Sequence, residues 1–130
     1  MVRSTFCLAL FALCFSVSLR AEDTKHEEAL VKMIAAVTDI GNLMAACKDV
    51  DSAKATEPKL LDAVKKFKEV EAEMKKMEDP PKDVEEALKK KYEDKMNAAI
   101  GKMGQEADRI SKAQDIATEV VESMKLLSGK

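Results

Sequence analysis

The fold is decided by residues 83–110, which read DVEEALKKKYEDKMNAAIGKMGQEADRI. Apolar side chains recur in this stretch at a spacing of eleven residues, at Leu88, Tyr92 and Met96, then at Ala99, Met103 and Ala107, and again at Ile110. An eleven-residue repeat corresponds to about 3.67 residues per turn, so an α-helix keeps these side chains on one side over its whole length. The stretch therefore predicts one long, straight helix whose apolar stripe needs partner helices.

A first helix is predicted to begin at Thr24, because Thr24 and Glu27 have the spacing of a capping box. Its apolar residues follow one another in steps of three and four, as in a heptad seam. They are Leu30, Met33, Val37, Ile40, Met44 and Cys47. Residues 48–52 are predicted to form the turn that ends this helix.

A second helix carries a comparable seam, made of Ala53, Thr56, Leu60, Ala63, Phe67, Val70, Met74 and Met77. Pro58 interrupts its first part, which predicts either a bend or a separate short turn over residues 52–57. The continuous phase of the seam favours the bend. Pro80 and Pro81 are expected to end this helix, since a residue before proline is pushed out of the helical region.

After Ile110, the spacing of Ser111 and Gln114 is that of a second capping box and predicts a break near Ser111. A shorter last helix is expected to carry Ala113, Ala117, Val120, Met124 and Leu127 on one face. Alternating β patterns are absent. Short connections between helices of similar length predict an all-α fold, an antiparallel up-down bundle of three long helices. The last helix is expected to fold back over the apolar groove that the three long helices leave between them.

The N-terminal residues 1–21 are predicted to be a signal peptide. Arg3 precedes an uncharged run over residues 4–19, and Ala21 offers a small residue at the cleavage edge. The alternative is an uncleaved anchor, but the run is shorter than the roughly 20 residues that a spanning helix needs. We expect residues 22–130 to form a single domain that is secreted or periplasmic and has no stable membrane span after cleavage.

The charge pattern argues against a nucleic-acid partner. Without Arg3 and Arg20, 20 of the 22 lysines and arginines remain against 24 acidic residues, a net charge of about −4. The one basic triplet, residues 89–91, has acidic neighbours on both sides, which is a poor footprint for nucleic acid. Acids placed four residues before a lysine, such as Glu28 before Lys32, are typical of a solvated helix face.

Candidate chemical residues are few. Once the signal is removed, Cys47 has no intramolecular partner, and we expect it to be a buried core residue and not the link of a covalent dimer. His26 is the only histidine, and one imidazole without a second candidate ligand is weak support for a haem or copper site. It lies roughly 30 Å from Cys47 along one predicted helix, too far for a catalytic pair. We therefore assign no catalytic, cofactor-binding or metal-ligating residue and expect no enzymatic activity.

Gly101 and Gly104 have the spacing of the Gly-x-x-Gly loop of KH domains, which grips nucleotide backbones. The strands of that domain are not predicted here. We interpret the pair as two small residues that allow a neighbouring helix to come close.

Residues 48–60, residues 88–92 and the pair Arg109-Ile110 resemble short exported all-helical bacterial proteins without an assigned function. This resemblance implies an exported helical protein and no particular activity. The turn Ala55-Thr-Glu-Pro-Lys-Leu60 is also similar to one in the cytochrome b562 bundle. That family ligates haem with a methionine on its first helix, which Met33 matches, and a histidine on its last helix, which this chain lacks.

Seven of the eight methionines follow Met1 and fall in the predicted domain. They indicate either a plastic core or an adaptable binding groove, and the sequence favours the core. The expected function is that of an exported non-enzymatic protein acting through helix surfaces, as a structural, adaptor or chaperone-like module with a protein partner in the cell envelope. A homodimer is possible. The alternative is a carrier that holds a small ligand or metal in the Met-rich interior.

Overall fold

The computed structural model describes residues 21–129, which form five helices and no strand. They are α1 (Ala21–Ala46), α2 (Val50–Lys76), α3 (Lys82–Lys112), α4 (Gln114–Glu119) and α5 (Val121–Ser128). The predicted all-α fold with three long helices is confirmed. The C-terminal part contains two short helices where one was expected, because the chain breaks again at Val120. The predicted signal peptide lies outside the described residues, Ala21 excepted.

Two of the predicted helix starts are wrong. Helix α1 already begins at Ala21, so Thr24 lies inside the helix and is not its cap. The break after α3 is real, but Ala113 and not Ser111 occupies the cap position, and no side chain caps α4. The Ser111 hydroxyl instead donates to the carbonyl of Asp108 at 2.7 Å, within α3.

The turn between α1 and α2 lies where it was predicted, and a capping box closes it. Asp49 Oδ1 accepts a hydrogen bond from the backbone N–H of Ser52 at 2.8 Å. Ser52 Oγ in turn accepts from the N–H of Asp49 at 3.0 Å. Such a cap contributes about 1 kcal/mol to helix stability. Helix α2 then runs unbroken through Pro58 and ends at Lys76, just before the two prolines, so no separate turn forms at its start.

Helix α1 is the middle of the three long helices. It packs against both α2 and α3, whereas α2 and α3 make hardly any direct contact with each other. Helices α2 and α3 therefore follow each other in the chain without packing on each other. The connection over residues 77–81 passes across the start of α1 to reach its other side, and α3 runs parallel to α1.

The hydrophobic core is concentrated at one end of this layer, around the C-terminus of α1. Its largest fully buried side chains include Ile40, Met44, Leu60, Val64 and Ile110. Complete burial of one such side chain stabilises the fold by roughly 1.5–3 kcal/mol. Helices α4 and α5 pack onto α2 at this end, and Ile116 of α4 and Val120, between the two short helices, join the same core.

Within the described residues, the segment Thr24–Ala46 of α1 is long and apolar enough to cross a membrane, with a mean hydropathy of 1.4 over its most apolar window. A core helix of a water-soluble bundle meets the same criterion, and this helix packs on both of the other long helices.

Candidate interaction groove

A groove forms because α2 and α3 flank α1 without closing on each other. At the core end, α4 contacts both α2 and α3, and α5 packs on α2. At the opposite end, where α1 begins, the space is a cavity of about 360 Å³, which we call the open groove. Its lining consists of His26, Ala29, Leu30, Met74, Met77, Glu78, Asp79, Pro80, Glu85, Leu88 and Lys89.

The floor of the open groove is the inner face of α1. Ala29 is buried, with 6% of its surface exposed, because its small side chain lies directly beneath the two walls. His26 lies one turn before Ala29, and Leu30 lies next to it. Both side chains are half-buried. These positions continue the seam that further along the helix enters the core at Val37 and Ile40. The open groove is thus an extension of the core that lacks its cover.

The walls come from the end of α2 and the start of α3. Met74 is 36% exposed and Met77 is half-buried, while Leu88 faces them from α3. Thioether side chains are flexible and polarisable, so they adapt to irregular apolar surfaces. The interpretation of the methionines as core residues is wrong for most of them. Only Met44 is fully buried, and Met103 and Met124 pack at the edge of the core.

Charged side chains border the open groove. Glu78 and Asp79 belong to the connection between α2 and α3, and Glu85 lies in the first turn of α3. Lys89 is the one lysine among the lining side chains. The rim of the groove is therefore acidic, although acidic and basic residues are almost balanced in the whole chain.

His26 fixes the end of the open groove. Its Nε2 lies 2.6 Å from the carbonyl oxygen of Glu78 and, since a carbonyl can only accept, donates the hydrogen bond. This bond ties the connection to α1 at the point where the chain crosses it. His26 lies in the second turn of α1 and is half-buried. In the described part of the chain, no three His, Cys, Asp or Glu side chains are grouped so that they could hold a metal ion.

A second set of polar contacts holds α3 against α1. Glu27 Oε1 accepts from Lys91 Nζ at 2.5 Å and from the Tyr92 hydroxyl at 2.6 Å. The hydrogen bond to Lys91, supported by the one to Tyr92, holds the pKa of Glu27 below its ordinary value. Farther along, Lys102 donates to the side chain of Asn42. These contacts hold α3, which forms one wall of the groove, against α1.

At the core end of the bundle, Glu57 of α2 forms hydrogen bonds that hold α5 in place. Its Oε1 accepts from the backbone N–H of Ser123 at 3.1 Å, and its Oε2 accepts from the Ser123 hydroxyl at 2.9 Å. Ser123 is fully buried and lies in the first turn of α5. A carboxylate at this place satisfies a free N–H and complements the positive end of the helix dipole. This contact fixes the position of α5 on α2, at the core end of the bundle.

Arg109 of α3 caps the C-terminus of α1. Its Nη1 and Nη2 donate to the carbonyls of Cys47 and Met44 at 3.0 and 2.8 Å, and its Nε donates to Glu106 at 2.7 Å. Sequence reasoning assigned no role to this residue. One signal was available: the last turn of α1 has no basic residue, so its free carbonyls needed a donor from another element.

Cys47 is fully buried, which confirms the prediction that it belongs to the core. Its thiol donates to the carbonyl of Leu43 at 3.4 Å. Burial raises the pKa of the thiol, and Thr56 and Arg109 act in the opposite direction. A protonated, enclosed thiol is a small apolar side chain with little reactivity.

Gly101 and Gly104 do not mediate a close helix contact, so that interpretation is wrong. A Cβ atom added at either position would meet nothing within 4 Å. The close approach occurs instead at Gly41 of α1, where an added Cβ would lie 3.5 Å from the backbone nitrogen of Met103. The apolar pattern of α1 gave no sign that a neighbouring helix comes close at Gly41.

A larger depression, of about 570 Å³, lies on the outer side between α1 and α2. Its floor is made mainly of small side chains such as Ala35, Ala36 and Ala63, and its rim alternates lysines with acids. Lys66 and Asp62 form an exposed ion pair there at 3.1 Å. Mixed charge over a shallow floor is typical of a solvated helix face.

Comparison of the chain with protein-family profiles, with curated proteins and with solved structures finds no match.

Proposed function

We propose that this protein is an exported, non-enzymatic binding module that holds a helical segment of a protein partner in the open groove. The observation that carries the proposal is the half-filled space between α2 and α3. Helices α4 and α5 occupy one end of it, and an apolar, methionine-lined cavity occupies the other. An amphipathic helix laid into an apolar groove is a recurrent mode of peptide recognition.

The location of the exposed methionines supports this assignment. Met74 and Met77 lie outside the core cluster and border the cavity from α2. Methionine-rich surfaces are common where a protein accepts partners of varying shape. The floor of the groove is also apolar, at Ala29 and Leu30 of α1.

The site of action that we propose is the cell envelope. Its support is the uncharged run over residues 4–19 behind Arg3, which has the form of a signal sequence. The partner is then a protein of the envelope or one in transit through it. The groove acts by binding alone, because the side chains that border it include no pair of nucleophile and base.

Substitutions in the groove test the proposal. Met74→Glu and Met77→Glu place a charge on the apolar wall, whereas Val31→Glu places one on an exposed apolar position of α1 outside the groove. The wild-type protein and the Val31→Glu variant are expected to retain the same partner from a solubilised envelope fraction, and both groove variants are expected to lose it. Retention by all four proteins, each folded by circular dichroism, would contradict the proposal.

The cavity volume of about 360 Å³ also lies within the range of small-molecule sites, which favours a small-ligand carrier as the second candidate. Native mass spectrometry of protein purified from its own host distinguishes the two. A constant added mass of a few hundred daltons supports the carrier, and a bare chain that binds a partner protein supports the binding module.

A further inference from the structure

The open groove combines an apolar interior with an acidic rim. Glu78, Asp79 and Glu85 border the cavity, against the single lysine Lys89. Surfaces that bind each other carry complementary charge, which speeds association and fixes the orientation of the complex. A complementary occupant has an apolar face with cationic side chains on either side of it.

The length of the open groove limits how much of that occupant it holds. Its lining runs along α2 from Met74 to Met77 and along α3 from Glu85 to Lys89, about 5 to 6 Å at 1.5 Å per residue. About one turn of helix fits this length, so two apolar anchors at positions i and i+3 or i+4 enter the groove.

Resting on the function proposed above, we infer that the partner segment is a cationic amphipathic helix, whose lysines or arginines face the carboxylates of Glu78, Asp79 and Glu85. A second copy of this chain is a poor occupant, because its own charge is negative. An acidic helix would place like charges against the rim and is expected to bind more weakly.

The test uses two synthetic helical peptides with the same apolar face, one flanked by lysines and the other by glutamates. They are titrated into the protein as purified from cells, with ¹³C-labelled methionine methyl groups observed by NMR. The lysine peptide is expected to shift the Met74 and Met77 signals and to bind about tenfold more tightly than the glutamate peptide at low salt. Added salt is expected to reduce this preference, since the rim is exposed and therefore screened.

A rim variant with Glu78→Gln, Asp79→Asn and Glu85→Gln is expected to lose the preference for lysine. The matched control, Asp62→Asn with Glu69→Gln and Glu73→Gln, changes the net charge equally but lies along the outer depression. It is expected to keep the preference. Equal loss in both variants would overturn the inference, because overall charge and not the rim would then be responsible.

The other outcomes separate this inference from the proposed function. Equal binding of both peptides to the wild-type groove would overturn the cationic partner and leave a helix-binding groove in place. If neither peptide shifts the Met74 and Met77 methyl groups at millimolar concentration, both the inference and the proposed function are wrong.

Discussion

Glu57 and Ser123 are joined by two hydrogen bonds, one from the backbone N–H of Ser123 and one from its hydroxyl. Because Ser123 is fully buried, both of its donors would lose their partner if the carboxylate were removed. This pair determines where the short C-terminal helices sit, and hence how much of the space between α2 and α3 is left open.

Glu57→Ala is expected to lower the free energy of unfolding by about 1–3 kcal/mol, because it leaves a buried donor without an acceptor. Glu57→Gln keeps an acceptor oxygen and is expected to cost less. Urea denaturation measures both. Glu73→Ala, an exposed position on the same helix, serves as the control and is expected to stay near the wild type. Equal stability of Glu57→Ala and Glu73→Ala would show that the contact does not hold α5.

Gly101→Ala is expected to raise the free energy of unfolding by about 0.5–1 kcal/mol, because glycine costs that much inside a helix. Helix α3 is continuous through this position, and the added methyl group meets no neighbour. Gly129→Ala is the opposing control, since Gly129 ends α5 with a φ of 74° that favours glycine. Thermal melts should rise for the first variant and fall or stay level for the second. A lower melting temperature for Gly101→Ala would mean that α3 is crowded there.

The pairing of Glu27 with Lys91 and Tyr92 predicts a pH dependence. The pKa of Glu27 in the folded protein lies below its ordinary value of 4.5, chiefly because Lys91 donates a hydrogen bond to it. Its contribution to stability is therefore present above that value and is lost as the pH falls through the lower, folded value. The stability difference between wild type and Glu27→Gln should be largest near neutral pH and low salt and should shrink in acid.

Asp49 and Glu71 have pKa values shifted in the same direction, so the wild type alone does not isolate Glu27. The comparison with Glu27→Gln at each pH removes their effect. The carboxylate of Glu27 is partly exposed, so the difference should also weaken as salt screens the pair. A difference that is constant between pH 3 and 7 would contradict the pairing.

Cys47 is expected to remain a free, protected thiol. Because it is fully buried and burial raises its pKa, alkylating reagents should modify it slowly in the native protein and quickly in denaturant. Non-reducing electrophoresis, with thiols blocked at lysis, should give a monomer band. A band at twice the monomer mass that disappears on reduction and in Cys47→Ser would instead make a covalent dimer the native form.

The prediction of export has a direct test in intact mass spectrometry of the protein recovered from the envelope or the medium. Cleavage is expected near Glu22, at the end of the apolar N-terminal run. Retention of the complete N-terminus would favour an anchor. In that case, the groove would act at the membrane surface.

The helices could be predicted from the sequence because their apolar periodicity is long and consistent. The stripe from Leu88 to Ile110 faces α1 as expected, with Ala99 and Ile110 buried and the other members half-buried. Helix starts were less certain, because several residues near each end can act as caps. Thr24 had the right spacing for a cap, but the preceding residues continue the helix.

The open groove could not be predicted, because it depends on which helices pack together. The sequence shows an apolar seam on each helix but not that α2 and α3 lie on opposite sides of α1. The contacts that fix this arrangement join residues far apart in the chain, such as His26 with Glu78 and Arg109 with Met44. Their partner atoms are backbone carbonyls, which leave no trace in the side-chain pattern.

The most direct test of the central claim is site-specific photo-crosslinking in living cells, with a photoreactive amino acid in place of Met77 on the wall of the open groove. The same amino acid in place of Val31 on α1 and of Val121 on α5, both exposed apolar positions outside the groove, provides the controls. We predict that position 77 forms an adduct that maps by mass spectrometry to one short helical segment of a partner protein, and that the two controls do not. Adducts that are absent at position 77, or equally strong at all three positions, would contradict a binding function for the groove.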